Sequence, residues 1–191
     1  MMLTLLFVLS ASFSCTDTNK TIIAISTSEG DIILELDKKN APVSATNFIT
    51  LCEKGVYTGA VFYRTVNDAN QANNKIKIDV IQGGLFHDSI VNKFAPIIHE
   101  TTEKTGIKHT NGTISMARNE PGSASTEFFI CIGHQAELDK GGARNPDGQG
   151  FSAFGSVTEG MDVVHRIHQA ENRDQYLTEP VIIHGIKILN K

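Results

Sequence analysis

The sequence predicts a mainly β protein, a closed antiparallel β-barrel capped at its ends by two α-helices. Three observations carry that prediction. Short β-branched or aromatic runs bounded by turn residues recur along most of the chain, only two segments show helical spacing, and 16 Gly and 10 Phe without any Trp describe a turn-rich globular protein. Closure follows because many antiparallel strands leave unprotected edges unless the sheet meets itself. The 191 residues suffice for one sizeable core. No repeat or long biased tract points to a solenoid or a disordered protein.

Residues 1–15 differ from the rest. Residues 3–9 are apolar except for Thr4, the small residues Ser10-Ala11-Ser12 follow, and then Phe13-Ser14-Cys15. This reads as the apolar core of a secretion signal, too short to span a bilayer. The polar run Thr16-Asp17-Thr18-Asn19-Lys20 suits a tether, and the whole leader resembles that of a bacterial lipoprotein with Cys15 as the lipidated new N-terminus. An ordinary signal peptide and a misplaced start codon are the alternatives, because Ser12 stands where a branched apolar residue is usual and the leader lacks Lys and Arg. The expected organisation is a signal peptide over 1–15, a tether over 16–20 and a folded domain over 21–191. The expected location is the cell envelope or periplasm, with a lipid as the sole membrane contact.

In the folded part, Ile23-Ala24-Ile25-Ser26-Thr27 and Asp31-Ile32-Ile33-Leu34-Glu35-Leu36 are apolar, β-branched runs separated by Ser28-Glu29-Gly30, which predicts a hairpin. Pro42 fits the first position of a helix whose apolar stripe is Val43, Phe48, Ile49 and Cys52, ending at Gly55. A second helix is predicted over 159–170, where Met161, Val164, Ile167 and His168 recur at helical spacing. Strands are predicted over 61–66, 79–82, 113–117, 127–132, 153–157 and 182–189.

Composition excludes several functions. Seventeen Lys+Arg against 21 Asp+Glu give a net charge of −4 with no basic block, so nucleic acid is not an expected partner. Cys52 and Cys131 read as small buried apolar residues, although a disulfide stays open. His165 and His168 lie at i, i+3 without a third ligand motif, so no metal site is expected. The Gly-rich stretch 141–150 has neither the lysine nor the strand-loop-helix context of a phosphate loop and reads as a long surface loop.

Three strings carry the chemistry: Phe62-Tyr63-Arg64, Ile81-Gln82-Gly83-Gly84, and Ser115-Met116-Ala117 followed by Glu127-Phe128-Phe129-Ile130. No Ser-His-Asp, Cys-His or metal-ligand spacing accompanies them. Their joint order, from about Thr21 to the C-terminus, resembles the cyclophilin family of peptidyl-prolyl cis-trans isomerases. The resemblance implies an eight-stranded barrel and a non-covalent isomerase that needs no metal or cofactor and takes proline-containing segments of unfolded or partly folded proteins, as a monomer. It implies Arg64 as the catalytic residue, with Tyr63 where the family usually has histidine. Phe129 would line the proline pocket while Phe128, on the opposite face of the strand, fills the core. Val80 and Leu138 would form the pocket wall, Gln82 and Glu127 its polar side with Gln82 holding Arg64, and Ala117 and Arg118 would offer backbone groups to the peptide. Phe151 replaces a frequent histidine, Arg118 an asparagine, and Asp79 an apolar residue, which predicts a pocket more apolar on one side and more charged on the other. An insertion over 67–77 separates Arg64 from Gln82. A binding module or holdase using the same groove without accelerating rotation is the rival reading, and a scaffold lipoprotein a third.

Overall fold

The computed structural model describes residues 19–190. The predicted Cys15 and the leader lie outside the described residues. In chain order the elements are β1 (Lys20–Thr27), β2 (Gly30–Asp37), α1 (Pro42–Glu53), β3 (Val61–Val66), β4 (Val80–Gly84), α2 (Asp88–Val91), α3 (Thr102–Thr105), β5 (Thr113–Met116), β6 (Phe128–Cys131), β7 (Ser152–Glu159), α4 (Met161–Gln169), β8 (Asn172–Arg173) and β9 (Tyr176–Ile188). The sheet runs β1-β2-β7-β5-β6-β4-β3-β9, and β9 pairs back onto β1, so eight antiparallel strands close into a barrel. The two-residue β8 extends the hairpin before β9.

The core explains why the barrel closes on these residues. Ile23 and Ile25 of β1 and Ile32, Leu34 and Leu36 of β2 alternate inward and are fully buried. They meet an aromatic cluster in which Phe128 stands edge-on to Phe48, Tyr57 and Phe62, with centroids 5.2, 5.6 and 5.6 Å away. Helix α1 delivers Ala45, Phe48 and Leu51 to this core, and α4 delivers Val163, Val164 and Ile167.

Ala41 gives α1 no side-chain cap. The carboxylate of Glu100, buried and distant in sequence, instead accepts from the N–H groups of Val43 and Ser44 and from the Ser44 hydroxyl. Negative charge at a helix N-terminus is favourable, so this contact both caps α1 and ties it to a remote loop. Helix α4 begins two residues later than expected because Gly160, at φ +87°, ends the strand; a Cβ there would lie 2.3 Å from the Asp31 carbonyl oxygen.

Other differences concern the C-terminal third and the loops. β9 starts at Tyr176 rather than 182, because Pro180 and the polar Thr178 and Glu179 conceal its inward residues Leu177, Val181 and Ile183. The one-turn helices α2 and α3 are too short to show a period. Cys52 and Cys131 are free and buried, and burial pushes the Cys52 thiol up to about 12.

Candidate active site

A bulge in β3 sets the direction of Arg64. Phe62 pairs with Gly83 and Arg64 with Gln82, so two residues of β3 oppose one of β4. In a regular strand Tyr63 and Arg64 would face opposite sides. The extra residue lets both side chains reach Gln82. Arg64 Nη1 donates to Gln82 Oε1 at 2.8 Å, and Gln82 Nε2 donates to the Tyr63 hydroxyl at 2.6 Å. That hydroxyl donates to Glu127 Oε2 at 2.7 Å, while the Leu85 N–H donates to Glu127 Oε1 at 2.7 Å.

These bonds have one polarity. Burial, reinforced by the charge of Glu127, pushes the Tyr63 phenol far above its usual range, so it stays protonated and donating. Its oxygen lone pairs then face Gln82 Nε2, which turns the amide oxygen of Gln82 toward the arginine. The two glycines after Gln82 are space that this arrangement needs. A Cβ on Gly84, at φ +147°, would lie 2.2 Å from Glu127 Oε1, and one on Gly83 would lie 2.9 Å from the Phe62 ring.

Gln175 holds the other edge of the guanidinium. It accepts from Arg64 Nε at 3.0 Å and also from Nη2, and its own Nε2 donates to the Asn70 carbonyl. Asp174 and Gln175 form the two-residue turn between β8 and β9 at φ +51° and +75°, a geometry that favours Gly or Asn. A glutamine held there is strained, and the strain lies beside the arginine. Three of the five guanidinium N–H groups are thus taken by neutral amide oxygens, which leaves two for a substrate. Burial draws the Arg64 pKa below its ordinary value without making it neutral at physiological pH.

The cavity that Arg64 lines also holds an apolar well. Val80, Phe129 and Leu138 form, with Val66, Ile78 and Cys131, a cluster separate from the barrel core, and Ala117 and Phe151 pack against it. The Phe129 and Phe151 rings meet edge to face at 5.2 Å. Arg64, Tyr63, Val80, Gln82, Ala117, Arg118, Glu127, Phe129, Leu138 and Phe151 all line one cavity of about 520 Å³. Phe128 is in the barrel core.

The structure corrects several sequence-based expectations. Arg118 does not charge the pocket: its guanidinium, 1% exposed, pairs twice with Asp147 at 2.8 and 2.9 Å, donates to the Gly150 carbonyl and lies over the Phe151 ring. Arg118 in turn pulls the Asp147 carboxyl down to about 2. Asp79 is not a wall residue, since it sits 3.4 Å from His168 Nε2 and Ile78 takes the apolar place. The Ala117 N–H is committed to the Glu127 carbonyl and is not open to a peptide. Gln175, Ile78, Phe86, Tyr176 and Arg144 also line the cavity and were not anticipated. Gln175 had no signal, because Asp174-Gln175 lacks the residues that mark a hairpin turn.

A Ser-His-Asp chain does exist. His109 Nδ1 lies 2.8 Å from Asp139 Oδ1, and Nε2 lies 3.0 Å from Ser115 Oγ. Ser115 and His109 are fully buried, so this is not a nucleophile. The His109 ring stacks on Phe129 with the planes at 14°, which places the chain behind the apolar well as its support.

Burial depresses the His109 pKa despite Asp139, and Lys108 adds to the depression. A histidine kept neutral in the fold contributes stability in full above its unfolded pKa of 6.5, and loses it as pH falls below that value. The Asp139 carboxyl is lowered despite its burial, by the hydrogen bonds from His109, so its contribution is lost only below 3.8. The urea midpoint is therefore expected to fall on acidification from pH 7 to 5. A His109→Gln variant, less stable at pH 7, should show a flatter profile there; an equally steep one would remove His109 as the cause.

A closed eight-stranded barrel whose cavity joins an apolar well to the cradled Arg64 suits non-covalent work on a bound peptide. The family model for cyclophilin-type peptidyl-prolyl cis-trans isomerases matches residues 22–188. A peptidyl-prolyl cis-trans isomerase of Streptomyces antibioticus is 35% identical over 175 residues, covering 87% of this chain and 98% of the relative. Peptidyl-prolyl cis-trans isomerase A of Dickeya dadantii is 33% identical over 180 residues, covering 91% of this chain and 87% of the relative. The crystal structure of a Cryptosporidium parvum cyclophilin superposes with a TM-score of 0.70 at 20% identity, covering 90% of this chain and 99% of that one. The same Cryptosporidium protein has also been crystallised in the presence of the dipeptide Ala-Pro. The chain belongs to the cyclophilin family, and its activity is peptidyl-prolyl cis-trans isomerisation.

Proposed function

We propose that Arg64 is the group that accelerates rotation, and that the protein serves unfolded or partly folded polypeptides in the cell envelope. Rotation about a peptide bond faces a barrier of about 18–20 kcal/mol because the C–N bond has partial double-bond character. Uncatalysed X-Pro isomerisation takes tens to hundreds of seconds. A catalyst must therefore favour the twisted amide, in which resonance is lost and the prolyl nitrogen becomes pyramidal. The well of Val80, Phe129, Leu138 and Phe151 grips the pyrrolidine ring and excludes water. The two free N–H groups of Arg64 donate to the substrate, and their fixed direction means no reorganisation is needed as the bond twists. The observation that supports this role is the cradle of Gln82 and Gln175, which holds the guanidinium without neutralising it.

The rival reading as a passive binding groove draws on Phe151, which lines the apolar well, and on two charges, those of Asp79 and Arg118. Both are engaged elsewhere, by His168 and Asp147, so neither opposes proline binding. The location rests on the leader and Cys15 alone; among the described residues no helix is long and apolar enough to cross a membrane. In a bacterial host, the full chain is expected to fractionate with membranes and to incorporate labelled fatty acid. A Cys15→Ser variant should lose both. Unlabelled, soluble wild-type protein would contradict the lipid anchor, and its appearance in the cytosol would contradict the envelope location.

A further inference from the structure

The insertion over 67–77 and the Gly-rich loop over 141–150 are unexplained by the isomerase reading, and they meet at Arg144. Its Nη1 donates to the Ile76 carbonyl at 2.7 Å and lies 3.4 Å from Gln71 Oε1. The Asn74 amide, with its oxygen turned to the guanidinium, accepts from Nη2 at 3.1 Å. Gln71 is itself locked to both backbone groups of Ile78, so the insertion is a fixed platform for this side chain. From there Arg144 enters the same cavity as Arg64.

Among the described residues neither arginine meets a carboxylate. Arg64 touches Gln82 and Gln175, and Arg144 touches only neutral groups. Arg118, in the same cavity, is by contrast fully paired with Asp147. Glu127, the nearest acid to Arg64 along its bonded chain, is engaged by Tyr63 and Leu85. Burial, then the charge of Arg64, presses the Arg144 guanidinium below its usual range, so the two feel each other's field. Two half-buried cations without a carboxylate partner, lining one cavity, leave an unmet demand for an anion.

We propose that Arg144, together with Arg64, forms a carboxylate-binding subsite that selects an acidic residue immediately after the substrate proline. This rests on the reading of Arg64 as the group that donates to the substrate at the twisted bond. With the ring in the apolar well and Arg64 at the twisted bond, the residue after proline lies in the same cavity, where a Glu or Asp side chain meets the field of both guanidiniums. Arginine's planar fork suits a carboxylate better than a lysine would. A proline at a free C-terminus presents the same chemistry through its own carboxylate.

Four peptides separate these cases: Ala-Ala-Pro-Glu-amide, Ala-Ala-Pro-Gln-amide, Ala-Ala-Pro with a free carboxylate, and Ala-Ala-Pro-amide. Kd and isomerisation rate are measured for each with the full chain, Arg144→Gln and Arg144→Lys, at low and at high salt. The Glu peptide should bind about fivefold more tightly than the Gln peptide at low salt. That ratio should approach unity in high salt and in Arg144→Gln, and survive in part in Arg144→Lys. A gain confined to the free C-terminal carboxylate would overturn selection by the side chain. So would equal binding of the Glu and Gln peptides by the wild type, or a preference that persists in Arg144→Gln. Turnover of every peptide without preference removes this inference and leaves the isomerase standing. Preferential binding without turnover does the reverse.

Discussion

Arg64→Ala is expected to lower kcat/KM for X-Pro peptides by about two to three orders of magnitude, the usual loss when one preorganised donor is removed from the position where charge changes in the transition state. Folding should be largely spared. Arg64 lies at the cavity face of the barrel, its partners are two glutamine side chains, and it bears none of the core. Arg64→Lys should rescue little, because an ammonium cannot hold Gln82 and Gln175 together and still direct two donors at a substrate. Coupled protease assays on the purified variants, with urea melts beside them, measure both quantities. A variant with near wild-type turnover would move the catalytic role elsewhere in the cavity.

Phe128→Ala is expected to give the largest loss of stability, about 3–5 kcal/mol. Its ring is fully buried and stands edge-on to three other rings, so truncation leaves a cavity and removes three aromatic contacts. Against a typical total of about 5–15 kcal/mol, that brings the domain near unfolding. The adjacent Phe129→Ala should be milder in stability and severe in substrate binding, since Phe129 belongs to the cavity cluster and not to the barrel core. Chemical denaturation of the two variants tests the division of labour across β6. Equal losses from both would show that the two clusters are not independent.

That division was legible in the sequence because neighbours in a strand face opposite sides, and the three catalytic strings needed only their order to be read. The hairpin of β1 and β2, the Pro42 start of α1 and the barrel itself came from local patterns of the same kind. What stayed hidden depends on contacts between distant segments. The bulge that turns Tyr63 and Arg64 to the same partner is a property of the β3–β4 register, and no residue type announces it. Gln175 sits in a turn whose positive φ values its sequence does not favour. Arg144 is placed by the insertion it rests on, and Arg118 is neutralised by an aspartate 29 residues away. A charge counted from sequence says nothing about whether it is already paired.

The central claim is that Arg64, cradled by neutral amides, acts on the twisted bond, while the apolar well holds a peptide without acidic groups. Nuclear magnetic resonance exchange on a saturating X-Pro peptide separates the two, because it reads rotation in the bound state. The account predicts rapid cis-trans exchange on the wild type, and on Arg64→Ala a peptide still held in the apolar well but exchanging near its uncatalysed rate. A variant that binds weakly yet rotates its bound peptide at the wild-type rate would contradict it.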